Sequence, residues 1–262
     1  MDYSFPRLSL SAIAVWRRNF LVWRKLAIPS VLGNLADPMI YLFGLGYGLG
    51  SLLPEHLDQF GGVPYIVFLA AGTVCASTMN AASFEALYSA FSRMHVQKTW
   101  DAILNTPVAL DDVILGELLW AASKATLSGL AILIVIAALG FVSSPLALLA
   151  IPVIFLIGMA FAGLGLIVTA LAPSYDFFMY YFTLFVTPMV LACGVFFPVE
   201  QLPAAMQGVA GALPLSHAVR LVRPLLLGEM PADPLPHLAA LLLTTIASFW
   251  LALMLTRKRL LM

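Results

Sequence analysis

Charged side chains are scarce in this sequence of 262 residues, and long apolar runs fill most of it. Aspartate, glutamate, lysine and arginine make up 10% of the residues, against 62% hydrophobic residues, and the mean hydropathy is +0.99. Soluble domains carry about 25% charged residues. So few charges cannot cover a chain of this length with a water-facing shell. The composition therefore excludes an ordinary soluble globule and predicts a surface that mostly contacts lipid.

Motifs for catalysis and cofactor binding are also absent from the sequence. It has no GxxxxGK[ST] phosphate loop, no HExxH zinc motif and no GxSxG nucleophile motif. Cys75 and Cys193 both lie in apolar stretches, where a thiol usually acts as a small hydrophobic side chain. The four histidines have no metal-ligand spacing, and the net charge of zero gives no reason to expect a nucleic-acid partner. We expect no catalytic residue, metal or cofactor in this chain.

Six apolar stretches are long enough to cross a bilayer, which takes about 20 helical residues. The predicted spans are Ile28–Leu53, Pro64–Ala90, Val113–Val142, Leu146–Leu171, Phe177–Phe197 and His237–Thr256. A short turn with Pro173 and Asp176 separates the fourth and fifth spans, so these two should be antiparallel neighbours. The N-terminus lacks the pattern of a cleaved signal peptide. The sequence thus predicts one all-α integral membrane domain over residues 1–262.

Lysine and arginine indicate the orientation, because cytoplasmic loops are enriched in them. Ten basic residues fall on one side of a six-span topology: Arg7, Arg17, Arg18, Arg24, Lys25, Arg93, Lys98, Arg257, Lys258 and Arg259. The first loop on the other side has Glu55 and Asp58 and no basic residue, whereas the last loop there has Arg220 and Arg223. Both termini are therefore predicted to be cytoplasmic.

Residues 8–27, before the first span, have the pattern of an amphipathic helix. One face carries Ile13, Trp16, Phe20 and Trp23, and arginines border it. Tryptophans with flanking arginines are typical of a helix that lies in the membrane interface. A simple basic flank that orients the first span is the alternative.

Residues 91–112, between the second and third spans, also contain an amphipathic helix. Val96, Trp100, Ile103 and Leu104 form an apolar stripe, and Gln97, Lys98, Asp101 and Asn105 face away from it. Pro107 ends this helix, and Asp111 or Asp112 can cap the next one. A helix with an exposed tryptophan between two spans either docks into a groove of a soluble partner or lies in the lipid interface.

Residues 198–236 are too apolar for an ordinary loop, and their prolines prevent one continuous spanning helix. We predict two short helices, near Leu202–Leu213 and Ser216–Leu227, that re-enter the outer leaflet before the last span. The candidates for an outer gate or vestibule are Phe196, Phe197, His217, Arg220 and Arg223. The last three, at a spacing of three residues, are expected to point one way, toward lipid phosphates or toward an exit vestibule.

Ionisable residues inside spans are costly and are candidates for function. Asp37 precedes Pro38 in the first span and either contacts a neighbouring helix or lines a polar path. Glu85 is close to the inner end of the second span and is explained by anchoring at the interface. Glu117 and Lys124, seven residues apart on the third span, predict a structural ion pair.

Taken in order, these features resemble the permease subunit of an ABC-2 type exporter, the type V exporter fold. The segments "GVFFPVEQLP" (Gly194–Pro203) and "LPLSHAVRLVRPLLLGE" (Leu213–Glu229) are similar to the C-terminal signature of that family. The segments "LGNLADPMIYLFGLGYGLG" (Leu32–Gly50) and "TWDAILNTPVALDDVILGE" (Thr99–Glu117) resemble its NodJ subfamily. The resemblance covers essentially the whole chain.

The resemblance implies a dimer of this chain on two copies of a separate, NodI-like ATPase subunit, which would hold ATP and magnesium. It also implies that Arg93–Thr106 is the coupling helix that meets the ATPase. The coupling residues would be Arg93, Val96, Lys98, Trp100, Asp101, Ile103 and Leu104. The substrate path would lie between two protomers and be lined mainly by spans one, two and five. Its candidate residues are Asn34, Asp37, Tyr41, Asn80, Tyr180 and Tyr181.

The function implied is outward export of an amphipathic substrate, a lipo-oligosaccharide or a lipid-like molecule, across the bacterial inner membrane. Efflux of drugs or antibiotics is the alternative. A gradient-driven secondary transporter is a further alternative, and the absence of paired buried carboxylates argues against it. An intramembrane enzyme would need a catalytic set that the sequence lacks.

Overall fold

A computed structural model describes residues 6, 8–53, 60 and 62–261 of the chain. Within these ranges every regular element is helical. Three residues used above for orientation, Arg7, Glu55 and Asp58, lie outside the described residues. The all-α prediction is confirmed for the part that is described.

Eleven α-helices follow one another along the described chain. They are α1 Ser11–Trp23, α2 Ala27–Gly48, α3 Tyr65–Phe84, α4 Thr99–Leu104, α5 Leu110–Ala138, α6 Ala150–Leu171, α7 Phe177–Tyr181, α8 Thr187–Ala192, α9 Ala204–Ala212, α10 Pro214–Leu227 and α11 Pro234–Leu261. A 3₁₀ turn joins α1 to α2, and π-helical turns extend α3 at Glu85–Ser89 and Ser92–Val96. Another π-helical turn joins α7 to α8.

Five helical units among the described residues are long and apolar enough to cross a membrane. They are Ser11–Leu52, Tyr65–Val96, Leu110–Ala138, Pro145–Leu171 and Pro234–Leu260. The predicted fifth span corresponds to the shorter apolar unit Phe177–Ala192. A multi-span membrane protein is confirmed, whereas the count of six spans stays a prediction because this unit falls short of about 20 residues.

The long helices pack around α3 and α6. Helix α6 contacts α3, α5, α10 and α11, and α3 is buried along nearly all of its length. Glycines allow these close approaches, since a Cβ added to Gly158 of α6 would lie 3.0 Å from the Cα of Ala122 on α5. Small residues at helix contacts are typical of membrane proteins, where packing replaces the hydrophobic effect between helices.

Helix α1 packs along α5 and continues through a short turn into α2. Its buried residues are Ala12, Val15 and Asn19, whereas Ile13 of the predicted face is exposed. Trp16, also on the predicted face, donates a hydrogen bond from its indole to Ser123 of α5. The helix is therefore held by protein contacts, and its position in the membrane interface stays a prediction.

The segment before the last span forms two short helices, α9 and α10, close to the predicted bounds. One face of α10 is buried against α3, α6 and α11. Its position at membrane depth, and therefore the re-entrant character of the pair, stays a prediction.

A candidate coupling network and membrane cavity

Helix α4 is a single short helix, and its tryptophan, Trp100, faces inward. It begins after Lys98, which adopts a left-handed backbone conformation with φ of 54°. Trp100 is 1% exposed and donates a hydrogen bond from Nε1 to Oε1 of Glu117 on α5, at 3.0 Å. The prediction of an exposed tryptophan that docks into a soluble partner is therefore wrong. Trp100, Ile103 and Leu104 of the apolar stripe pack toward the chain's own spans, whereas Val96 does not.

The outward surface around α4 consists of other residues of the predicted set. Val96 is 61% exposed, and Lys98 and Asp101 are exposed and 3.8 Å apart in an ion pair. Ile103 and Leu104 are half-buried and pack against the core. The surface that a partner would meet is thus mixed in polarity, with one apolar side chain at its edge.

Arg93 links the second and third spans just behind α4. It lies in the π-helical turn that follows α3, and its side chain is 11% exposed. Its Nε and Nη2 atoms donate to both carboxylate oxygens of Glu117, and Nη1 donates to Oε1 of Glu85 at 3.0 Å. A guanidinium that binds one carboxylate through two nitrogens and a second through its third nitrogen fixes both geometrically. Arg93 is thus an internal residue of the coupling segment.

Glu85 is the second centre of this network. Its Oε2 accepts a hydrogen bond from Lys124 at 2.7 Å, and its Oε1 accepts one from the indole of Trp120 at 2.8 Å. The predicted ion pair between Glu117 and Lys124 is therefore wrong, since Lys124 pairs with Glu85 and Glu117 with Arg93. Seven residues are two turns of one helix, about 10 Å apart, whereas the neighbouring helix is closer. Glu85 is buried, which also excludes a simple interface anchor.

We call this set of six side chains the coupling network: Glu85, Arg93, Trp100, Glu117, Trp120 and Lys124. Two carboxylates face two cations, so the network is electrically neutral. Both carboxylates are buried and hydrogen-bonded to cations and indoles, and Arg93 is the cation paired with Glu117, so removal of Arg93 leaves the Glu117 carboxylate buried without its cation. The network joins α4 and α5 to the π-helical turns that extend α3. Paired buried carboxylates were expected to be absent, and that expectation is wrong.

Two aspartates at the start of α5 bind the N-terminal segment and the last helix near α4. Asp111 forms an ion pair with Arg257 of α11, and Asp112 accepts hydrogen bonds from the backbone and hydroxyl of Ser9. Neither caps the helix, because α5 begins at Leu110 and both lie within its first turn. Acidic residues in a first turn are favourable for the helix dipole. The N-terminal segment and the last span are thus fixed near α4.

A cavity of about 410 Å³ lies between α2, α3 and the α7–α8 unit. Three of the predicted path residues, Asp37, Tyr41 and Asn80, line it, together with Phe196 of the predicted outer gate. Further lining residues include Thr73, Ser77, Phe84, Phe182, Thr187 and Val190. The wall is therefore mixed, with hydroxyl, amide and carboxylate groups next to phenyl rings. We call it the membrane cavity.

The other three path candidates lie elsewhere. Asn34 is half-buried on α2 and is not part of the cavity wall. Tyr180 is 62% exposed on α7. Tyr181 is buried, and its hydroxyl lies 3.3 Å from the hydroxyl of Ser83 on α3. Tyr181 therefore links α7 to α3, and Tyr180 is free to contact lipid or another protein.

The polar residues of α10 do not point one way, contrary to the prediction. His217 Nδ1 lies 2.8 Å from Nδ1 of His237 on α11, and Arg220 is exposed. Arg223 packs over the ring of Phe68 on α3, at 3.6 Å from the ring centre, and donates to the carbonyl of Gly194. A spacing of three residues turns a helix by 300°, so each successive side chain is displaced by about 60°.

His217 and Arg223 therefore connect α10 to other segments of the chain. Through its hydrogen bond to the carbonyl of Gly194, Arg223 anchors the turn after α8. Burial, with His237 and Arg220 nearby, lowers the pKa of His217. Phe197, the remaining outer candidate, is half-buried beside Phe196.

Comparison with known proteins decides what kind of membrane protein this is. Residues 11–227 match the ABC-2 type transporter family. The chain belongs to this family. It is 51% identical over 258 residues to nodulation protein J of Rhizobium leguminosarum bv. trifolii, over 98% of this chain and 97% of that protein. Nodulation protein J of Rhizobium meliloti (strain 1021) is 51% identical over 257 residues, with 98% and 97% covered.

A more distant relative extends the comparison. Nodulation protein J of Azorhizobium caulinodans is 34% identical over 210 residues, which are 80% of this chain and 81% of that protein. The resemblance inferred from the motifs between Leu32 and Glu229 is thereby confirmed. As an ABC-2 type permease, the chain is a membrane-spanning subunit of a transporter, and the family implies an ATP-hydrolysing partner subunit.

Proposed function

We propose that this chain is the permease of an ATP-driven exporter that moves an amphipathic substrate outward across the bacterial inner membrane. The substrate class is a lipo-oligosaccharide or a lipid-like molecule. The mixed wall of the membrane cavity supports this, because Asp37 and Asn80 offer hydrogen bonds to a polar part while Phe84 and Phe182 offer apolar contact. Efflux of drugs or antibiotics is the alternative, and substrate competition separates the two.

The energy source is a separate subunit in this proposal. Two copies of a NodI-like ATPase bind ATP and magnesium, and two copies of this chain form the path between them, with all termini in the cytoplasm. Tyr41 of α2, which lines the membrane cavity, is exposed, and so are Tyr180 and Leu184 of the α7–α8 unit. These exposed residues support a second copy in front of this side of the bundle. Lipids surround the remaining apolar surface.

One observation supports the route of coupling most directly: the coupling network connects α4 to two spans. In this proposal, a displacement of the exposed surface around Lys98 moves Glu117 on α5 through the indole of Trp100. It moves Glu85, in the π-helical turn that extends α3, through Arg93. Both carboxylates are bound to fixed cations, which disfavours their use as proton carriers in a gradient-driven transporter. The ATPase therefore acts by tilting the two spans that flank α4.

The test of this proposal is co-purification with the ATPase encoded beside this chain, followed by ATP hydrolysis and transport in lipid vesicles. A complex of two permeases and two ATPases, with hydrolysis stimulated more by a lipo-oligosaccharide than by drugs, is expected. Transport by the chain alone, with no complex, would contradict it.

Val96→Glu is expected to weaken binding of the ATPase about tenfold, because it places a charge on the exposed apolar residue next to α4. Retention of the ATPase on the immobilised permease measures this. The matched control is Val209→Glu on α9, where the valine is 64% exposed and lies outside the coupling segment. Equal retention of the ATPase by Val96→Glu and Val209→Glu would exclude the surface around Val96 as the docking site.

Asn80→Phe is expected to reduce transport at least tenfold, since the larger ring fills part of the 410 Å³ cavity. Assembly with the ATPase should remain, and stimulation of hydrolysis by substrate should be lost. Ile134→Phe, at a residue of α5 that is 68% exposed, adds a ring outside the cavity and serves as the control. Unchanged transport in Asn80→Phe would remove the membrane cavity from the substrate path.

A further inference from the structure

A second cavity, of about 520 Å³, opens at the α4 end of the bundle. It lies between α1, the start of α2, the π-helical turns after α3, and α5. Its walls carry the aromatic rings of Trp23, Tyr88, Trp120 and Tyr175. The indole of Trp23 is oriented by a hydrogen bond to Ser30 at 2.9 Å. The cavity is distinct from the membrane cavity and shares no lining residue with it.

The charges around this cavity do not balance. Glu85 and its neighbour Glu117 are paired with Arg93 and Lys124. Arg18 also lines the cavity, and its described hydrogen bonds go to neutral oxygens, at 2.9 Å to Asn19 Oδ1 and 3.4 Å to Thr99 Oγ1. Among the described residues no carboxylate forms an ion pair with Arg18. With Glu117 already paired with Arg93, the three cations and two carboxylates in and beside the cavity leave one net positive charge.

Asn19 adds a second, independent observation. It is 3% exposed, lines the same cavity and accepts from Arg18 through Oδ1. Its Nδ2 group has no hydrogen-bond acceptor within the part of the chain that the structure describes. Buried polar groups are nearly always hydrogen-bonded. A buried donor without an acceptor, next to an arginine without a carboxylate, indicates that a negatively charged acceptor enters the cavity.

The rim of the cavity indicates what carries that acceptor. Val22 and Leu26 line the cavity and are 55% and 64% exposed. The interior is cationic and the entrance is apolar, as suits a molecule with an anionic head and an apolar tail. A free anion would gain nothing from the apolar entrance.

We propose that this cavity binds the phosphate headgroup of an anionic amphiphile from the membrane leaflet on the α4 side. The guanidinium of Arg18 binds the phosphate oxygens, for which its planar geometry is suited, and Nδ2 of Asn19 donates a further hydrogen bond. Trp23 contacts the glycerol region, and Val22 and Leu26 contact the first part of the acyl chains. The proposed headgroup site goes beyond the exporter function and does not depend on it, because lipid binding is measured on the chain alone.

The test titrates the full-length chain in detergent micelles and follows its tryptophan fluorescence, since Trp23 and Trp120 line the cavity. The probes are dihexanoyl phosphatidylglycerol, dihexanoyl phosphatidylcholine and glycerol 1-phosphate. We expect the anionic lipid to bind about tenfold more tightly than the zwitterionic one. Arg18→Gln should lose this preference. Arg17→Gln, the adjacent exposed arginine, should bind within about twofold of the original chain.

Two further variants keep the test valid if Arg18→Gln folds poorly. Asn19→Asp preserves the shape and pairs with Arg18, so it should abolish the preference for the anionic lipid. Arg18→Lys retains the charge and should retain part of the preference. Equal affinity for both lipids, or equal losses in Arg17→Gln and Arg18→Gln, would overturn the site. If glycerol 1-phosphate binds as tightly as the anionic lipid, the cavity is a phosphate site, but its ligand is a soluble compound and not a lipid.

Discussion

Arg93→Met is expected to lower the free energy of unfolding by about 3–5 kcal/mol, because it leaves the carboxylate of Glu117 buried without its cation. Glu85 keeps Lys124, so the loss falls mainly on the contact between α3 and α5. Trp100 then donates to a carboxylate that is no longer fixed, and α4 loses its rigid connection to the spans. Thermal unfolding in detergent measures the stability, and ATP-dependent transport in vesicles measures the coupling.

Lys98→Met is the matched control for this prediction. It removes a cation from the same segment, but Lys98 and Asp101 are exposed and 3.8 Å apart, so the change should cost at most about 1 kcal/mol. The double variant Arg93→Met with Glu117→Gln removes the cation together with the charge it leaves unpaired. It should recover part of the lost stability without restoring transport. A single Arg93→Met variant as stable as Lys98→Met would show that the network contributes little.

The features that sequence predicts well here are local ones. Length and apolarity identify the long helices, and prolines separate α9 from α10, because both depend on neighbouring residues only. Asp37, Tyr41 and Asn80 were named as path candidates from the family resemblance, and all three line the membrane cavity. Polar residues inside apolar helices avoid lipid and face other helices or a cavity, whichever helices those are.

The features that sequence misses depend on contacts between distant segments. The stripe that contains Trp100 has the same pattern whether it faces a soluble partner or the chain's own spans, so its burial could not be predicted. The partners of Glu85 and Glu117 are Arg93 and Lys124 in a crossed arrangement, which is set by how α3 and α5 pack. Three ionisable residues in two neighbouring apolar stretches, with Arg93 in the segment between them, were the available signal for a network, although not for its pairing.

Arg223 of α10 is a further residue whose role depends on contacts with distant segments. Arg223 is a basic residue on the side predicted to face away from the cytoplasm, and by charge alone it contradicts the orientation rule. The structure explains it as a packing residue, which binds the Gly194 carbonyl and covers Phe68. This turn, which Gly194 enters with φ of +80°, also carries Val195 and Phe196 into the membrane cavity. The position of this turn therefore determines the shape of the cavity.

Gly72→Ala is expected to destabilise the chain by about 1–3 kcal/mol and to impair transport, because it displaces that turn. A Cβ at Gly72 of α3 would lie 2.5 Å from the carbonyl oxygen and 2.8 Å from the Cα of Val195. Both are backbone atoms, so no side-chain rotation relieves the contact. The turn must move away from α3, and Phe196 moves with it. Thermal unfolding and transport in vesicles measure the two effects.

The same substitution at Gly44 should have the opposite effect on stability. Gly44 lies inside α2, and a Cβ there would have no heavy atom within 4 Å. Alanine favours the helix over glycine by about 1 kcal/mol, so Gly44→Ala should unfold at a higher temperature than the original chain. Each variant adds one methyl group, which contacts the backbone of Val195 in Gly72→Ala and no heavy atom in Gly44→Ala. Normal transport in Gly72→Ala, with the stability loss present, would show that the substrate does not pass the turn at Val195.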